Sequence, residues 1–341
     1  MTADRLVIAE RGGYQESAHD GHIAVVDPNG NLLYSCGDPE RATFARSSMK
    51  PLQTIPLIET GAADYYQLSA ADISLACASH NGEEQHTSRV KDILGRLDLE
   101  VEDLKCGTHP PRWKDTYEQV IKSETPITPV YNNCSGKHSG MLTTAKYMGE
   151  STEDYYVLEH PVQQRILEVI SDLSEVPVSE IEIGIDGCGV PVHGIPLDRL
   201  ALCFAKMSKP DTFPEKRKQA IETITSSMMA VPEMVGGTDR FCTDFMKVMG
   251  GRMFGKAGAE GVYCIGDLES GIGIAIKIED GNGRAAYPAA VEVLKQLGLL
   301  TEQQEEKLAS YHHPELRNAR EEVIGHLEPA FKLKKATCTL S

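Results

Sequence analysis

The stretch from His22 to Cys36 reads HIAVVDPNGNLLYSC and is the part of the sequence that decides the fold class. Two runs with the composition of β-strands flank Pro28-Asn29-Gly30, and these three residue types together are typical of a hairpin turn. A similar run, Leu6–Glu10, lies upstream. The sequence therefore predicts that the chain begins with antiparallel strands.

Farther along, the apolar residues recur with a helical period from Ser47 to about residue 180, and a helical stretch resumes at residue 197. The predicted helices are Asp72–Ala78, Glu84–Leu97, Ser139–Tyr147, Val162–Leu173, Leu197–Met207 and Phe213–Met229. The predicted extended pieces are Pro126–Tyr131 and Glu182–Ile185.

The last third of the sequence returns to strand patterns. Gly261–Ile265 and Gly271–Ile278 predict a second hairpin, and an amphipathic helix follows at Tyr287–Leu299. Residues 300–341 are polar and rich in charge, so we expect this tail to pack loosely.

This order of segments predicts an α+β fold, with one antiparallel sheet, flanking helices and a mostly helical middle region. The sequence lacks the βαβ alternation of a doubly wound parallel sheet. We expect a discontinuous sheet-containing domain at 1–46 plus 250–341, and a mostly helical region at 47–249.

The composition argues against several classes of function. The 341 residues have a formal net charge of −16 and a pI near 5.2, whereas nucleic acids and anionic membranes require a basic surface. The sequence has neither an apolar run of about 18 residues nor a signal-peptide pattern at its start. Nine cysteines without paired spacing are typical of a reducing compartment. We therefore expect a cytoplasmic protein.

The sharpest local motif is Arg46-Ser47-Ser48-Met49-Lys50-Pro51. Proline is tolerated in the first turn of a helix, so Pro51 predicts a helix start beside Ser47. The helix dipole and free N–H groups there favour developing negative charge. A lysine kept neutral by burial can take the proton of a serine hydroxyl. Taken alone, the same spacing is more typical of an N-capping serine and a solvated lysine.

Lys256-Ala257-Gly258 lies immediately before a predicted strand. Serine acyl-transfer enzymes of the penicillin-binding type combine Ser-x-x-Lys with a later Lys-Thr-Gly. Their middle Ser-Asp-Asn element has no literal match in this chain, where Cys134-Ser135-Gly136 is a possible substitute. The order of the two lysine motifs raises the prospect of an active site without settling it.

Three further polar clusters could carry chemistry. Cys134 and His138 have a spacing that could place two metal ligands on one helix face. Asp186-Gly187-Cys188 adds another thiol and a carboxylate, and Ser79-His80 could form a nucleophile–base pair. Buried thiols and ordinary turns explain the same residues, so both interpretations stay open.

Five motifs together resemble the rhizobial-type L-asparaginase family, and the resemblance covers about Arg11 to Gly298. The motifs are Arg46-Ser47-x-x-Lys50-Pro51, Ala78-Ser79-His80-Asn81-Gly82, Asn133-Cys134-Ser135-Gly136-Lys137-His138, Asp186-Gly187-Cys188-Gly189-Val190-Pro191 and Lys256-x-Gly258-Ala259-Glu260-Gly261. The chain departs from the family at Asn318-Ala319-Arg320-Glu321, where an Asn-x-x-Gly turn is expected. The resemblance implies a fold similar to glutaminases and serine β-lactamases.

The resemblance also implies an activity, the hydrolysis of the L-asparagine side-chain amide to aspartate and ammonia. Ser47 corresponds to the nucleophile and Lys50 to its base, and Ser79 with Lys256 corresponds to a second serine–lysine pair. The family further implies a homodimer and a Zn²⁺ ion. The residues that match its zinc ligands are Cys134, Lys137 and Cys188.

Recognition of a free amino acid requires a cation for its α-carboxylate and an anion for its α-ammonium group. We expect Arg46 to supply the cation and Asp186 or Glu260 the anion. Backbone N–H groups at the helix start, with another from the Ser79 motif, would receive the oxyanion. The remaining residues assigned to substrate binding are His80, Asn81 and His138.

Other functions remain compatible with these residues. A glutaminase or a hydrolase of penicillin-like acyl compounds would use the same serine–lysine chemistry. A zinc-dependent hydrolase would lose turnover on chelation, and a non-enzymatic amino-acid-binding protein would release no ammonia.

Overall fold

The computed structural model describes residues 2–336, and the chain divides into two compact units. The sheet unit contains Met1–Ser48, Ile195–Lys209 and Gly255–Ser341, and the helical unit contains Met49–Gly194 and Pro210–Phe254. The α+β fold class expected from the sequence is confirmed. The domain boundaries expected from the sequence stay a prediction.

The strands within residues 2–336 are numbered in chain order. They are β1 (Asp4–Arg11), β2 (Tyr14–Val26), β3 (Leu32–Cys36), β4 (Ala42–Phe44), β5 (Glu182–Ile185), β6 (Pro191–Pro196), β7 (Met253–Gly258), β8 (Val262–Asp267), β9 (Gly273–Ile278), β10 (Glu315–Arg317), β11 (Val323–Pro329) and β12 (Lys334–Lys335).

The α-helices of the same described residues follow the same convention. They are α1 (Lys50–Gln53), α2 (Ile55–Glu59), α3 (Ala62–Tyr65), α4 (Ala70–Ala76), α5 (Glu84–Arg96), α6 (Lys114–Lys122), α7 (Ser135–Met148), α8 (Pro161–Ser174), α9 (Leu197–Ser208), α10 (Glu215–Ala230), α11 (Phe241–Met249), α12 (Gly283–Gln296), α13 (Glu302–Lys307) and α14 (Ala309–His312).

The sheet unit is organised around one sheet with the order β10-β11-β1-β2-β9-β8-β7, and β3 also pairs with β2. The two hairpins expected from the sequence are confirmed, because β2 pairs antiparallel with β3 and β8 pairs antiparallel with β9. Antiparallel pairing of β2 with β9, with Ala24 opposite Ala275, joins the N-terminal and C-terminal strands. Helices α9 and α12 pack against this sheet.

The expectation of a loosely packed tail is wrong for the residues that the structure describes. Strand β11 pairs antiparallel with β1 along five residue pairs, and Leu327 in β11 is buried. The side chain of His312 in α14 bonds to Glu292 in α12. The alternating strand pattern at 323–329 is short and lies among charged residues, so the sequence alone does not predict that this segment pairs with β1. Residues 337–341 of the predicted tail lie outside the described residues.

The helical unit has α7 at its centre, where it contacts α4, α5 and α8. Its residues from Ser135 to Ala145 are buried. Helix α4 lies so close to α7 that a Cβ atom on Gly136 would be only 2.3 Å from the carbonyl oxygen of Leu75, so the contact requires glycine at this position. The extended piece expected at Pro126–Tyr131 is wrong, since Pro129–Tyr131 forms a 3₁₀ helix.

Candidate active site

Ser47 lies in a 3₁₀ turn, Arg46–Met49, that is followed directly by α1. Pro51 occupies the first turn of α1, which confirms the helix start predicted from the sequence. Arg46 adopts a φ of 51°, in the left-handed region that residues other than glycine seldom occupy. Such backbone strain is concentrated at functional sites. Ser47 is half-buried.

The strand that carries Lys256 packs against the turn that carries Ser47. A Cβ atom on Gly258 would come within 2.6 Å of the carbonyl oxygen of Ala45, so only glycine permits this approach. Lys256 is 1% exposed, and its Nζ donates to the carbonyl oxygen of Ala257 at 2.8 Å. The sheet unit therefore places the backbone of the Lys256 motif beside the backbone of the Ser47 motif.

Arg46 and Glu260 are two oppositely charged groups of the sheet unit. The Arg46 guanidinium lies 4.0 Å from the Glu260 carboxylate, with side-chain exposures of 25% and 67%. Glu260 also has a positive φ, of 59°. Such a pair could offer a cation and an anion to one small zwitterion.

Lys50 is fully buried in the helical unit. Its Nζ donates to the carbonyl oxygen of Ala78 and to Ser79 Oγ at 3.1 Å, and it lies 3.2 Å from Cys134 Sγ. Burial lowers the pKa of Lys50, and the Cys134 thiol opposes part of this effect. An amine in this environment can lose its proton far more readily than a solvated lysine.

Cys134, Lys137 and Cys188 form one buried cluster in the helical unit. Lys137 Nζ lies 3.0 Å from Cys188 Sγ, and Asp186 Oδ2 lies 4.0 Å from the same sulfur. The hydrogen bond from Cys134 lowers the pKa of Cys188 to about 5, and the same bond, together with burial, raises the pKa of Cys134 to about 12. Burial by itself would lower the pKa of Lys137, but the negative charge of the Cys188 thiolate has the larger effect and raises that pKa.

The donor atoms of this cluster suit a thiophilic metal ion. Thiolate sulfur is a preferred zinc ligand, and a neutral amine is a further donor. Binding would require Cys134 and Lys137 to release their protons. Within residues 2–336, no group of three or more His, Cys, Asp or Glu side chains is arranged to hold a metal, so a zinc site would depend on the lysine.

His80 is enclosed beside this cluster, with no exposed surface. Its Nδ1 accepts a hydrogen bond from the backbone N–H of Gly82 at 3.1 Å, and its Nε2 lies 2.9 Å from Ser135 Oγ. Burial holds the pKa of His80 well below its ordinary value. In this arrangement both ring nitrogens already have protein partners.

His138 is also fully buried, and its Nδ1 lies 2.7 Å from the hydroxyl of Tyr155. That hydroxyl accepts a hydrogen bond from the backbone N–H of Lys105 at 2.9 Å. Burial lowers the pKa of His138 to about 3. Among the described residues, His138 Nε2 has no hydrogen-bond partner.

Asn81 joins the Ser79 loop to a loop that the sequence motifs do not include. Its Oδ1 accepts from Arg240 at 2.8 Å, and its Nδ2 donates to the carbonyl oxygen of Thr238 at 2.8 Å. The carboxylate of Glu83 accepts from the backbone N–H of Thr238 at 2.7 Å. The signal that could have indicated this loop is the Gly236-Gly237 pair, since Gly237 has a φ of 105°.

One expected oxyanion donor is already occupied. The backbone N–H of Ser79 donates to the carbonyl oxygen of Val235 at 2.9 Å, and that of His80 donates to the carbonyl oxygen of Asn133 at 3.3 Å. Neither of these two N–H groups is therefore available to an oxyanion, and the expectation that the motif supplies a donor stays a prediction for its other residues.

The eight cysteines within residues 2–336 are buried and none forms a disulfide there. None of the helices described in that range combines the length and apolar character needed to cross a lipid bilayer.

The family comparison agrees with the sequence resemblance. The model of the L-asparaginase II family matches residues 7–329, so this chain belongs to that family. No curated protein matches the sequence. The expected asparaginase relationship is thereby confirmed, whereas the zinc ion and the roles of individual residues stay predictions.

Several solved structures are similar to this chain at low identity. A structure of Mglu in its native form is 12% identical with a TM-score of 0.45, and the alignment covers 83% of this chain but only 65% of Mglu. A β-lactamase from Mycobacterium bovis is 15% identical with a TM-score of 0.39, covering 86% and 95% of the two chains. D-alanine carboxypeptidase AmpC from Burkholderia cenocepacia is 16% identical with a TM-score of 0.39, covering 80% and 93%.

Proposed function

We propose that this protein is an L-asparaginase that hydrolyses the side-chain amide of L-asparagine to L-aspartate and ammonia. Family membership supports this reaction class. The structural observation that carries the proposal is the buried Lys50 amine, which bonds to Ser79 Oγ and lies against Cys134 Sγ. A lysine enclosed among polar groups is suited to proton transfer.

In the proposed reaction, Ser47 Oγ attacks the amide carbon and its proton passes to neutral Lys50. The carbonyl oxygen becomes an oxyanion in the tetrahedral intermediate, and backbone N–H groups at the helix start stabilise it. The C–N bond breaks as Lys50 returns the proton to the leaving nitrogen, which departs as ammonia. Water then hydrolyses the β-aspartyl ester, restoring Ser47 and releasing aspartate. Ser79, whose Oγ accepts from Lys50 Nζ at 3.1 Å, is proposed to relay protons to and from Lys50, together with Lys256.

The charged groups of the sheet unit support recognition of a free amino acid. Arg46 is proposed to bind the α-carboxylate and Glu260 the α-ammonium group, because their charges are opposite and they lie 4.0 Å apart. Asp186 is a second candidate for the ammonium group. This assignment predicts that compounds lacking either charge are poor substrates.

The proposal includes a zinc site made by Cys134, Lys137 and Cys188. A bound zinc ion would supply a fixed positive charge to which a substrate oxygen could bind. The protein residues would hold the ion and keep its surroundings dry, since all three are buried. The proposal also includes a homodimer and a cytoplasmic location, which follow from the family resemblance and the cysteine content.

The proposed activity is tested by measuring ammonia release from L-asparagine, with L-glutamine and nitrocefin as competing substrate classes. Ser47→Ala should remove both turnover and the covalent β-aspartyl adduct, which peptide mass mapping would locate on Ser47. Ser48→Ala is the matched control, since the Ser48 hydroxyl donates to the nearby carbonyl oxygen of Ala45 at 2.7 Å and also bonds to the Cys264 thiol. Ser47→Ala activity within about tenfold of wild type, about 1.4 kcal/mol, would refute the nucleophile.

A further inference from the structure

Two buried histidines flank the first turn of α7, which begins directly after Cys134 and carries Lys137. His80 bonds to Ser135, the residue after Cys134. His138 follows Lys137 in the chain and bonds to Tyr155. Both rings have no exposed surface, so neither faces solvent in this conformation.

The hydrogen bonds of His80 determine which of its ring nitrogens carries the proton. Because the N–H of Gly82 donates to Nδ1, that nitrogen is an acceptor, and the neutral ring carries its proton on Nε2. Nε2–H then donates to Ser135 Oγ at 2.9 Å, and the Ser135 hydroxyl donates to the carbonyl oxygen of Val130 at 2.9 Å. Every donor in this chain of bonds has an acceptor.

The position of the proton on His138 follows in the same way, by matching hydrogen-bond donors to acceptors. The Tyr155 hydroxyl accepts from the N–H of Lys105, and its own proton needs a buried acceptor, which His138 Nδ1 provides at 2.7 Å. His138 Nε2 has no partner among the described residues in either tautomer, but the opposite tautomer would also leave the Tyr155 proton without an acceptor, at a cost of about 1–3 kcal/mol. His138 therefore carries its proton on Nε2 as well.

We infer that His80 and His138, acting through Ser135 and Tyr155, are positioning residues that hold the first turn of α7 so that Cys134 and Lys137 can bind one metal ion. This inference rests on the zinc site of the proposed function. It replaces the substrate-binding role expected for both histidines, because each ring is enclosed. Hydrogen bonds that metal ligands themselves make change metal affinity by about 10- to 100-fold, and we expect bonds made by the residues next to the ligands to act at the lower end of that range.

The test measures the Zn²⁺ dissociation constant of the full chain by competition with a chromophoric chelator. Ser135→Ala and Tyr155→Phe each remove one hydroxyl and should weaken zinc binding about tenfold or more. Ser139→Ala is the matched control. Ser139 is buried one turn along the same helix, and its hydroxyl donates within α7, to the carbonyl oxygen of Ser135 at 2.9 Å. It should change affinity less than about twofold, so equal weakening in all three variants would overturn the inference.

A second measurement separates positioning from general loss of structure. Nitrogen-15 NMR of the wild type should show His80 and His138 as neutral Nε2–H tautomers, and Tyr155→Phe should alter the His138 signals only. A His138 proton on Nδ1, or undiminished zinc affinity in Ser135→Ala and Tyr155→Phe, would overturn the inference. A wild type that releases ammonia from asparagine but binds no zinc would also overturn it, while leaving the proposed hydrolysis intact.

Discussion

Lys50 has a side chain with no exposed surface, and its neighbours are a carbonyl, a hydroxyl and a thiol. If it acts as a base, Lys50→Arg should lower kcat for ammonia release about 100-fold or more, because a guanidinium does not give up its proton. Lys146→Arg, at an exposed position of α7, is the matched control and should leave kcat near wild type. A Lys50→Arg enzyme within about tenfold of wild type would exclude the base role.

The zinc site makes a separate prediction about thiols. Cys134→Ala and Cys188→Ala should each purify with almost no zinc, whereas the wild type should hold one ion per chain, measured by atomic absorption. Cys106→Ala is the control, since Cys106 is buried in the same unit and bonds instead to the carbonyl oxygen of Pro129. Full zinc content in both cluster variants would end the metal assignment.

Single residues also show which features a local motif predicts and which it does not. The Ser-x-x-Lys spacing and Pro51 identify a helix start without any structure. The same spacing does not reveal that Lys50 contacts Ser79 and Cys134, because these partners are 29 and 84 residues away in sequence. The enclosure of His80 is hidden for the same reason. Local motifs identify candidate chemistry, and tertiary packing decides which groups meet.

Among the elements, α4 has a well-defined start whose stability can be tested. Ser69 and Asp72 form a reciprocal capping box, and the buried Asp72 carboxylate also accepts from Arg89 at 2.9 Å and Arg96 at 3.3 Å. Asp72→Asn should lower the free energy of unfolding by about 2 kcal/mol at neutral pH, because it removes charge-assisted hydrogen bonds. Urea unfolding measures this difference.

The capping interaction also predicts a pH dependence. Burial alone would raise the pKa of Asp72, but the hydrogen bonds from Arg89 and Ser69 outweigh it and hold the pKa below 3.8. A lowered pKa means that the stabilisation is complete above pH 3.8 and is lost as the pH falls through the folded value. The stability gap between wild type and Asp72→Asn should therefore narrow in acid. A gap that stays constant would contradict this assignment.

Elements with strong local signals were predictable, and those that depend on distant partners were not. Pro28-Asn29-Gly30 marks the β2–β3 hairpin by turn chemistry alone, and α5 follows its apolar period closely. Strand β11 gave no comparable signal, since its stability comes from pairing with β1 at the other end of the chain. In the turn before β11, Glu321 takes a φ of 61°, a left-handed conformation that favours glycine. The family pattern expects glycine at this position, so the backbone conformation agrees with the pattern although the residue does not.

Across the whole molecule, the sheet unit is assembled from chain segments that are far apart in sequence. Strand β1 lies between β2 and β11, so the last part of the described chain completes the sheet begun by the first. Such long-range pairing makes the C-terminal strand part of the same cooperative structure as the N-terminal hairpin. The stability of the chain should therefore depend on side chains that the sequence alone assigns to a loose tail.

Leu327 and Val323 provide a matched test within β11, because Leu327 is 2% exposed and Val323 is 51% exposed. Leu327→Ala should lower the free energy of unfolding by about 2–3 kcal/mol through lost apolar burial and the cavity left behind. Val323→Ala should change it by less than about 0.5 kcal/mol. Urea unfolding of the full chain measures both. If Leu327→Ala costs no more than Val323→Ala, β11 lies outside the cooperative fold and pairing with β1 does not stabilise the sheet.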